Sequence, residues 1–229
     1  MIKNILIFCG GYGKRLGNLT KKTPKPLLVF HKKPFIDYVL KRIITIKPKK
    51  IIFLCRYKNT LFIKKYHKKK IGNIRLYCLV EKEIMGTGGS LYNAKKFILN
   101  NTLLLNGDTF FNIDFKKLKK INIKKKAMFI MLVKNYFYKS NKKLSKLFIN
   151  KKKIISYNKK SNLMNSGFYI INKKIIQFLL KKKISLEENI IPSLIEKKLV
   201  IGKIYNEDHI DIGTKKNFKY FNKYSKNLN

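Results

Sequence analysis

The sequence predicts an α/β protein in which helices cover both faces of a mostly parallel β-sheet. Three observations lead to this fold class. Short runs rich in β-branched residues alternate with amphipathic segments of helical length, the first run leads into a glycine-rich loop, and 229 residues suit one large α/β unit. In open sheets of this class ligands bind beyond the carboxyl ends of the strands, so the loop marks the expected binding edge.

The predicted elements follow one another without a linker-like segment, so residues 1–229 are expected to form a single domain. The predicted strands are 4–9, 51–55, 74–80, 102–106, 127–133, 166–171 and 199–205. The predicted helices are 34–46, 89–99 and 186–197. Pro34 suits a first helical turn, and Ser185 with Glu188 forms a capping box. From Lys215 onward, aromatic residues alternate with lysines, which predicts a closing helix that packs on the domain.

The formal net charge of +43 raises the possibility of a nucleic-acid partner or an anionic membrane. However, only four of the 54 basic residues are arginine. Lysine, asparagine, isoleucine, phenylalanine and tyrosine are all abundant, which is typical of an AT-rich genome, and the lysine runs at 67–70, 115–126 and 150–160 suit solvated connections. Base recognition favours arginine, so no specific nucleic-acid partner is expected. A lysine-rich nucleic-acid-binding protein on the same scaffold is the alternative from another functional class.

Cys9, Cys55 and Cys78 each lie in or at the end of a strand-like run, and three thiols cannot all pair. Buried free thiols in a reducing compartment are therefore expected. The N-terminus has no signal-peptide pattern, and no apolar run approaches 18 residues. These features predict a cytoplasmic protein with no membrane insertion.

The first strand runs into GGYGKRL at positions 10–16, followed by Thr20 and by PKP at positions 24–26. Glycines allow backbone N–H groups to approach an anion, and Arg15 and Lys25 add positive charge. The segment is not a P-loop, because no Gly-Lys-Ser/Thr closes it. It is not the dinucleotide fingerprint either, because Leu16 stands where that fingerprint has glycine.

Four further motifs follow the loop in order: MGTGG at 85–89, NGD at 106–108, NSG at 165–167 and DIGT at 211–214. Together with the loop they resemble the signature of the sugar-1-phosphate nucleotidyltransferases from residue 4 to about 218. The resemblance implies a Rossmann-like domain of the nucleotide-diphospho-sugar transferase type. It implies transfer of a nucleotidyl group from an NTP to a sugar 1-phosphate, with Mg²⁺ as cofactor. The C-terminal β-helix of longer relatives is expected to be absent, since the chain stops soon after Asp211.

The resemblance implies roles for individual residues. Arg15 would contact the leaving phosphates, Lys25 would stabilise charge at the α-phosphate, and Asp108 with Asp211 would hold magnesium; Asp108 counts with the two cations as catalytic. Lys14 stands where the family usually has threonine. It could add charge for the phosphates or only reflect the general abundance of lysine, which is the favoured interpretation, and it is placed with the nucleotide-binding residues. The nucleotide-binding group is completed by Gly10, Gly11, Gly13, Glu81, Gly86 and Thr87.

Glu81 lies five residues before Gly86, where related enzymes place the side chain that reads the base. A carboxylate accepts two hydrogen bonds, and guanine presents two adjacent donors, N1–H and the 2-amino group; uracil and thymine present one donor between two acceptors. The residue therefore favours GTP. Two alternatives stay open: Glu83 could read the base, and Glu81 could pair with Lys82 on the surface.

The sugar phosphate is assigned to Asn106, Lys160, Asn165 and Gly167 by the same resemblance. Lys160 matches a family lysine, but Lys159 replaces the preceding glutamate, so this register is open by one residue. The length and the residues around Glu81 most resemble guanylyltransferases acting on D-glycero-D-manno-heptose 1-phosphate, which supply surface glycans. Mannose 1-phosphate guanylyltransferase and N-acetylmuramate 1-phosphate uridylyltransferase activities are the alternatives. Neither the sugar nor the oligomeric state can be read from the sequence.

Overall fold

A computed structural model describes residues 1–134, 147–150, 155–157 and 161–228 of the chain. Lys160 lies outside these residues. The chain clusters into two compact units, each built from separated segments. Unit A comprises Ile2–Glu83, Leu105–Lys120 and Glu207–Asn229, and unit B comprises Met1, Ile84–Leu104 and Ile121–Asn206. That the chain is one domain stays a prediction.

The described residues contain both α-helices and β-strands, with several short helical turns between them. The strands are β1 Asn4–Phe8, β2 Val29–Phe30, β3 Lys33–Pro34, β4 Lys50–Cys55, β5 Lys70–Ile71, β6 Ile74–Val80, β7 Thr102–Asn106, β8 Thr109–Phe111, β9 Met128–Lys134, β10 Leu147–Ile149, β11 Ile155–Tyr157, β12 Leu163–Ile171, β13 Val200–Tyr205 and β14 His209–Asp211. The α-helices are α1 Phe35–Ile43, α2 Asn59–Tyr66, α3 Gly86–Asn93, α4 Ile191–Glu196 and α5 Lys215–Tyr224. Turns of 3-10 helix span Lys14–Thr20, Lys25–Leu27, Ile44–Ile46, Lys95–Phe97, Phe115–Lys120, Lys173–Phe178 and Ser225–Leu228, and a π-helical turn spans Leu186–Ile190.

In unit A, β1, β4 and β6 form a parallel set in that order, with β5 antiparallel at the edge beside β6. The central strands are almost wholly apolar and buried, as expected for parallel strands covered on both faces. Phe8 lies opposite Leu54, and Leu54 lies opposite Leu79. The carboxyl ends of the three strands are therefore side by side.

The closing helix α5 packs on unit A, as predicted from its aromatic residues. Phe221 is fully buried, with its ring centroid 4.7 Å from that of Phe35 and 5.0 Å from that of Phe30. Phe35 and Tyr38 come from α1, whose helix was predicted over 34–46; it begins at Phe35, one residue after Pro34, and ends at Ile43. This cluster is the main aromatic core of unit A.

In unit B, β9 is central: it pairs antiparallel with β12 and parallel with β13. β12 also pairs antiparallel with β10, which pairs antiparallel with β11. The register of β12 against β9 shifts between Asn165 and Tyr169. The α/β class is confirmed, and this unit adds antiparallel pairs that the alternation of apolar runs did not predict.

The predicted helix boundaries hold in part. Ser185 Oγ accepts a hydrogen bond from the Glu188 amide at 3.0 Å, as a capping serine does, but the Ser185 amide donates to Asn189 Oδ1 rather than to Glu188. The segment predicted as 89–99 becomes α3, which begins already at Gly86, and α2 was not predicted. None of the helices in the described residues combines the length and apolarity needed to cross a bilayer.

Candidate active site

The glycine-rich loop follows β1 in unit A and folds back on the segment that contains Lys25. Gly13 has φ +70°, and a Cβ there would lie 2.8 Å from side-chain carbons of both Thr20 and Lys25. The Thr20 hydroxyl donates to the Gly13 carbonyl at 3.1 Å. The spacing of glycine, threonine and lysine in the motif therefore reflects direct contact. A Cβ at Gly11 would meet nothing within 4 Å, so the loop has an open side there.

Lys25 and Asp108 form an ion pair although 83 positions separate them in the chain. Lys25 begins a 3-10 turn after Pro24, and its Nζ contacts Asp108 Oδ2. The two side chains are only 13% and 22% exposed. A charged hydrogen bond with this degree of burial is stronger than a surface ion pair, so it holds the ammonium group beside the loop.

Asp108 is brought to the loop by the glycine that precedes it. The Gly107 amide donates to the Phe8 carbonyl at 2.9 Å, at the end of β1. A Cβ at Gly107 would lie 2.8 Å from that carbonyl oxygen and 2.9 Å from Cys9 Sγ. A side chain at this position would push the two backbones apart and move the carboxylate away from Lys25.

Asp211 reaches the same place through the antiparallel pair β8 and β14. It lies opposite Thr109, and the Ile212 amide donates to the Asp108 carbonyl at 3.0 Å. Asp211 Oδ1 accepts from the Gly213 amide at 2.6 Å, whereas Oδ2 lies 3.8 Å from an Arg15 nitrogen. One oxygen thus forms the turn and the other is directed towards the cations.

The electrostatics of this cluster reflect two carboxylates close together. Partial burial and the charge of Asp108 raise the pKa of Asp211 to about 6, against the opposing effects of Lys25, the Gly213 amide and Arg15. A bound cation would relieve this repulsion. In the described part of the chain, no three acidic, histidine or cysteine side chains lie close enough together to hold a metal ion by themselves. Two carboxylates with room for water and phosphate oxygens fit the way proteins hold Mg²⁺.

Glu81 directly follows β6, and its amide donates to the Cys55 carbonyl at 2.9 Å. Its side chain is buried, with 9% relative exposure, while Lys82 and Glu83 are exposed. The alternative in which Glu81 pairs with Lys82 on the surface is therefore not favoured. Of the two acidic candidates for base reading, Glu81 is the one in a sheltered position.

Gly86 and Thr87 lie in unit B, where both contact the segment before α4. The Thr87 hydroxyl donates to Glu187 Oε2 at 2.6 Å and accepts from the Leu186 amide at 2.8 Å. With these two bonds its hydroxyl is engaged within the protein, so a nucleotide contact from Thr87 would come from its backbone. The predicted nucleotide roles of both residues stay predictions.

We expect Gly86→Ala to lower the free energy of unfolding by about 2 kcal/mol or more. Gly86 has φ +67°, and a Cβ there would lie 2.5 Å from the Ile184 carbonyl oxygen, which accepts from the Gly88 amide. Chemical denaturation monitored by circular dichroism would measure the change. Gly11→Ala, which meets open space, is the control and should unfold at nearly the wild-type denaturant concentration; equal losses in both variants would contradict the steric argument.

The residues assigned to the sugar phosphate do not all belong to one unit. Asn165 Oδ1 accepts from the Gly167 amide at 2.9 Å, and its Nδ2 donates to the buried Tyr169 hydroxyl at 2.8 Å. Gly167 has φ +76°, which favours glycine, and it lies within the register shift of β12 between Asn165 and Tyr169. Asn106 ends β7 in unit A, and Lys160 lies outside the described residues. Their contacts with a sugar phosphate stay predictions.

Sequence reasoning missed one side chain beside the loop, Arg56, which follows β4. Its guanidinium carbon lies 5.0 Å from the ring centroid of Tyr12 in the loop, and Nη1 donates to the Tyr12 hydroxyl. Arg15, by comparison, is 66% exposed, and Lys14 is also exposed. The scarcity of arginine in this chain is the signal that could have identified Arg56.

Comparison with known proteins gives a consistent result. A family model described as nucleotidyl transferase matches residues 4–227. The chain is 32% identical, over 94% of its length and 97% of the relative, to the D-glycero-alpha-D-manno-heptose 1-phosphate guanylyltransferase of Campylobacter jejuni. It is 28% identical, over 91% of its length and 92% of the relative, to the enzyme of that name from Aneurinibacillus thermoaerophilus.

Solved structures show the same likeness. The crystal structure of HddC from Yersinia pseudotuberculosis superposes with a TM-score of 0.80 at 25% identity, over 97% of this chain and 99% of that one. A second crystal structure of that protein, complexed with GMP-PN, has a TM-score of 0.78 at 25% identity and the same coverage.

Proposed function

The chain belongs to the nucleotidyl transferase family, and on this basis we propose that it transfers the guanylyl group of GTP to D-glycero-D-manno-heptose 1-phosphate. The products are a GDP-sugar and pyrophosphate. The observation that carries the proposal is the cluster of Lys25, Asp108, Asp211 and Arg15 beside the glycine-rich loop. We further propose that residues 1–229 form one catalytic domain that acts in the cytoplasm and supplies surface glycans such as lipopolysaccharide or capsule.

In the proposed reaction, an oxygen of the sugar 1-phosphate attacks the α-phosphorus of GTP as the bond to the pyrophosphate oxygen breaks. Both reactants are anionic, so positive charge is the first requirement. Lys25 stabilises charge on the α-phosphate, and Arg15 contacts the leaving phosphates. No residue has to form a covalent bond with the nucleotide.

Asp108 and Asp211 are proposed to hold Mg²⁺, which supplies charge neutralisation at phosphate oxygens when bound. Lys25 already contacts one of these carboxylates, so the ammonium group is placed next to the proposed metal site. The open side of the loop at Gly11 leaves its backbone free to approach the phosphates, with Gly10, Gly13 and Lys14.

The sugar phosphate is proposed to bind Asn106, Lys160, Asn165 and Gly167. The mannose-1-phosphate guanylyltransferase catalytic subunit beta of Xenopus tropicalis is 26% identical over 93% of this chain and 62% of the relative, so mannose 1-phosphate is the second candidate substrate. N-acetylmuramate 1-phosphate with UTP is a third. These candidates differ in base or sugar and are separated by one assay.

The test is a matrix of five nucleoside triphosphates against heptose, mannose and N-acetylmuramate 1-phosphates with Mg²⁺, measured as pyrophosphate release. We expect the fastest turnover with GTP and the heptose phosphate. A preference for UTP would contradict the guanylyl assignment, and no release from folded protein in any combination would contradict the enzymatic proposal. Tight binding to DNA with a steep salt dependence would instead support the nucleic-acid alternative.

Glu81→Gln should reduce the preference for GTP over UTP by about tenfold or more, because an amide cannot accept two hydrogen bonds from guanine as a carboxylate does. The measurement is the ratio of kcat/KM values for the two nucleotides. Glu83→Gln is the matched control, since this neighbouring acid is exposed. An unchanged ratio in Glu81→Gln together with a reduced ratio in Glu83→Gln would transfer the reading role to Glu83.

A further inference from the structure

Arg56 occupies the central place at the edge where the proposed nucleotide site lies. The strands β1, β4 and β6 are adjacent and parallel in that order, and continuing their register beyond the carboxyl ends aligns Gly10, Arg56 and Glu81. A Cβ at Gly10 would lie 3.3 Å from Arg56 Cβ, and on the other side the Glu81 amide donates to the carbonyl of Cys55, the residue before Arg56. Arg56 therefore lies between the phosphate loop and the proposed base-reading carboxylate.

The guanidinium group of Arg56 is held in place. It lies over the Tyr12 ring at 5.0 Å and donates through Nη1 to the Tyr12 hydroxyl. Tyr12 packs in turn on Tyr57 with 5.1 Å between ring centroids, and the Tyr57 hydroxyl donates to the Thr20 carbonyl at 2.9 Å. These contacts restrict the movement of the guanidinium and reduce the entropy lost when it binds a ligand.

The guanidinium of Arg56 has N–H donors that are not engaged in hydrogen bonds with the described residues. Nε is buried without a hydrogen-bond partner among the described residues. Nη1 has a second proton besides the one given to Tyr12, and Nη2 has two. A planar fork of donors suits a ligand edge that presents two adjacent acceptors.

We propose that Arg56 reads guanine by donating to O6 and N7 while Glu81 accepts from N1–H and the 2-amino group. The proposal rests on the proposed GTP specificity and adds a second specificity-determining residue to it. Guanine is the base whose O6 and N7 match an arginine fork. Together the two side chains would contact N7, O6, N1–H and the 2-amino group of guanine, whereas either side chain alone would contact only two of these groups.

The test couples Arg56 to one atom of the ligand. Calorimetric titrations with Mg²⁺ and no sugar phosphate compare GTP with 7-deaza-GTP, which lacks only the N7 acceptor. We expect wild type to bind GTP about fivefold or more tightly than 7-deaza-GTP, and we expect Arg56→Ala to bind both with nearly equal affinity. Arg56→Lys keeps the charge without the fork and should lose most of this discrimination as well.

Two controls make the result specific. Arg75→Ala removes an exposed arginine near the opposite end of β6 and should leave the discrimination unchanged. Inosine triphosphate lacks the 2-amino group and should bind more weakly than GTP. This difference in affinity should persist in Arg56→Ala, and its persistence would show that the variant is folded and that its Glu81 contact is intact. Tyr12→Phe is a second variant that leaves Arg56 in place and removes only its hydroxyl partner; it should weaken the discrimination in part.

Equal weakening of GTP, 7-deaza-GTP and UTP in Arg56→Ala would mean that Arg56 contacts the phosphates, and this would overturn the proposal. Absence of discrimination in wild-type protein would overturn it as well. In both cases the wild-type protein would still bind and consume GTP. These results therefore differ from failure of the proposed function, in which wild type would do neither.

Discussion

Replacing either Asp108 or Asp211 by asparagine should lower kcat by on the order of 10² to 10³ or more. Each change removes one of two carboxylates proposed to hold magnesium beside Lys25. Asparagine at position 211 keeps a side-chain oxygen that can accept the hydrogen bond from the Gly213 amide, so the local turn should persist. Pyrophosphate release at saturating Mg²⁺ measures the effect, and circular dichroism reports the fold.

Asp114→Asn is the matched control for these two variants. Asp114 Oδ1 accepts from the Lys116 amide at 3.0 Å, so this carboxylate has a local capping role outside the proposed metal site. Its replacement should leave kcat close to the wild-type value. If Asp211→Asn also kept near-wild-type kcat at saturating Mg²⁺, Asp211 would be a turn-forming residue and the two-carboxylate metal site would be wrong.

The strands were the most predictable part of the fold. The limits predicted for 74–80 and 102–106 match β6 and β7, because each of these runs ends where the chain turns. Helix α2 was missed because its apolar residues do not share one face: Phe62 is buried, whereas Leu61 and Ile63 are exposed. The start of α3 was not predicted because its first turn is rich in glycine, which is a poor helix former.

The candidate site could be predicted as a set of motifs but not as a set of contacts. The loop and the two aspartates were recognisable because each motif is local in sequence. The ion pair between Lys25 and Asp108 depends on how Gly107 approaches β1, and no local pattern reports this. The hydrogen bond between Thr87 and Glu187 joins residues 100 positions apart, so no local sequence pattern predicts it either.

Lys25→Ala and Arg15→Ala should each lower kcat/KM by about 10² or more, because they remove charge placed where negative charge develops on the transferring phosphates. Lys25 should show the larger loss in kcat. Its side chain is 13% exposed and contacts Asp108, so its removal also leaves that carboxylate without its partner near Asp211. Arg15 is 66% exposed and 3.8 Å from Asp211, which suits a contact that is completed only by the phosphates.

The control for these two variants is the double replacement of Lys68 and Lys69 by glutamine. Both lysines are exposed and belong to a lysine run outside the motifs, so their loss lowers the net charge by two units without touching the site. Steady-state kinetics at two salt concentrations should show little change in kcat/KM for this double variant. If it lost as much activity as Lys25→Ala, and if added salt abolished the difference between them, binding would depend on the overall positive field. A large loss confined to Lys25 and Arg15 would identify both as placed groups. For Lys25 the loss should persist at high salt, because its partly buried contact is screened far less than an exposed one.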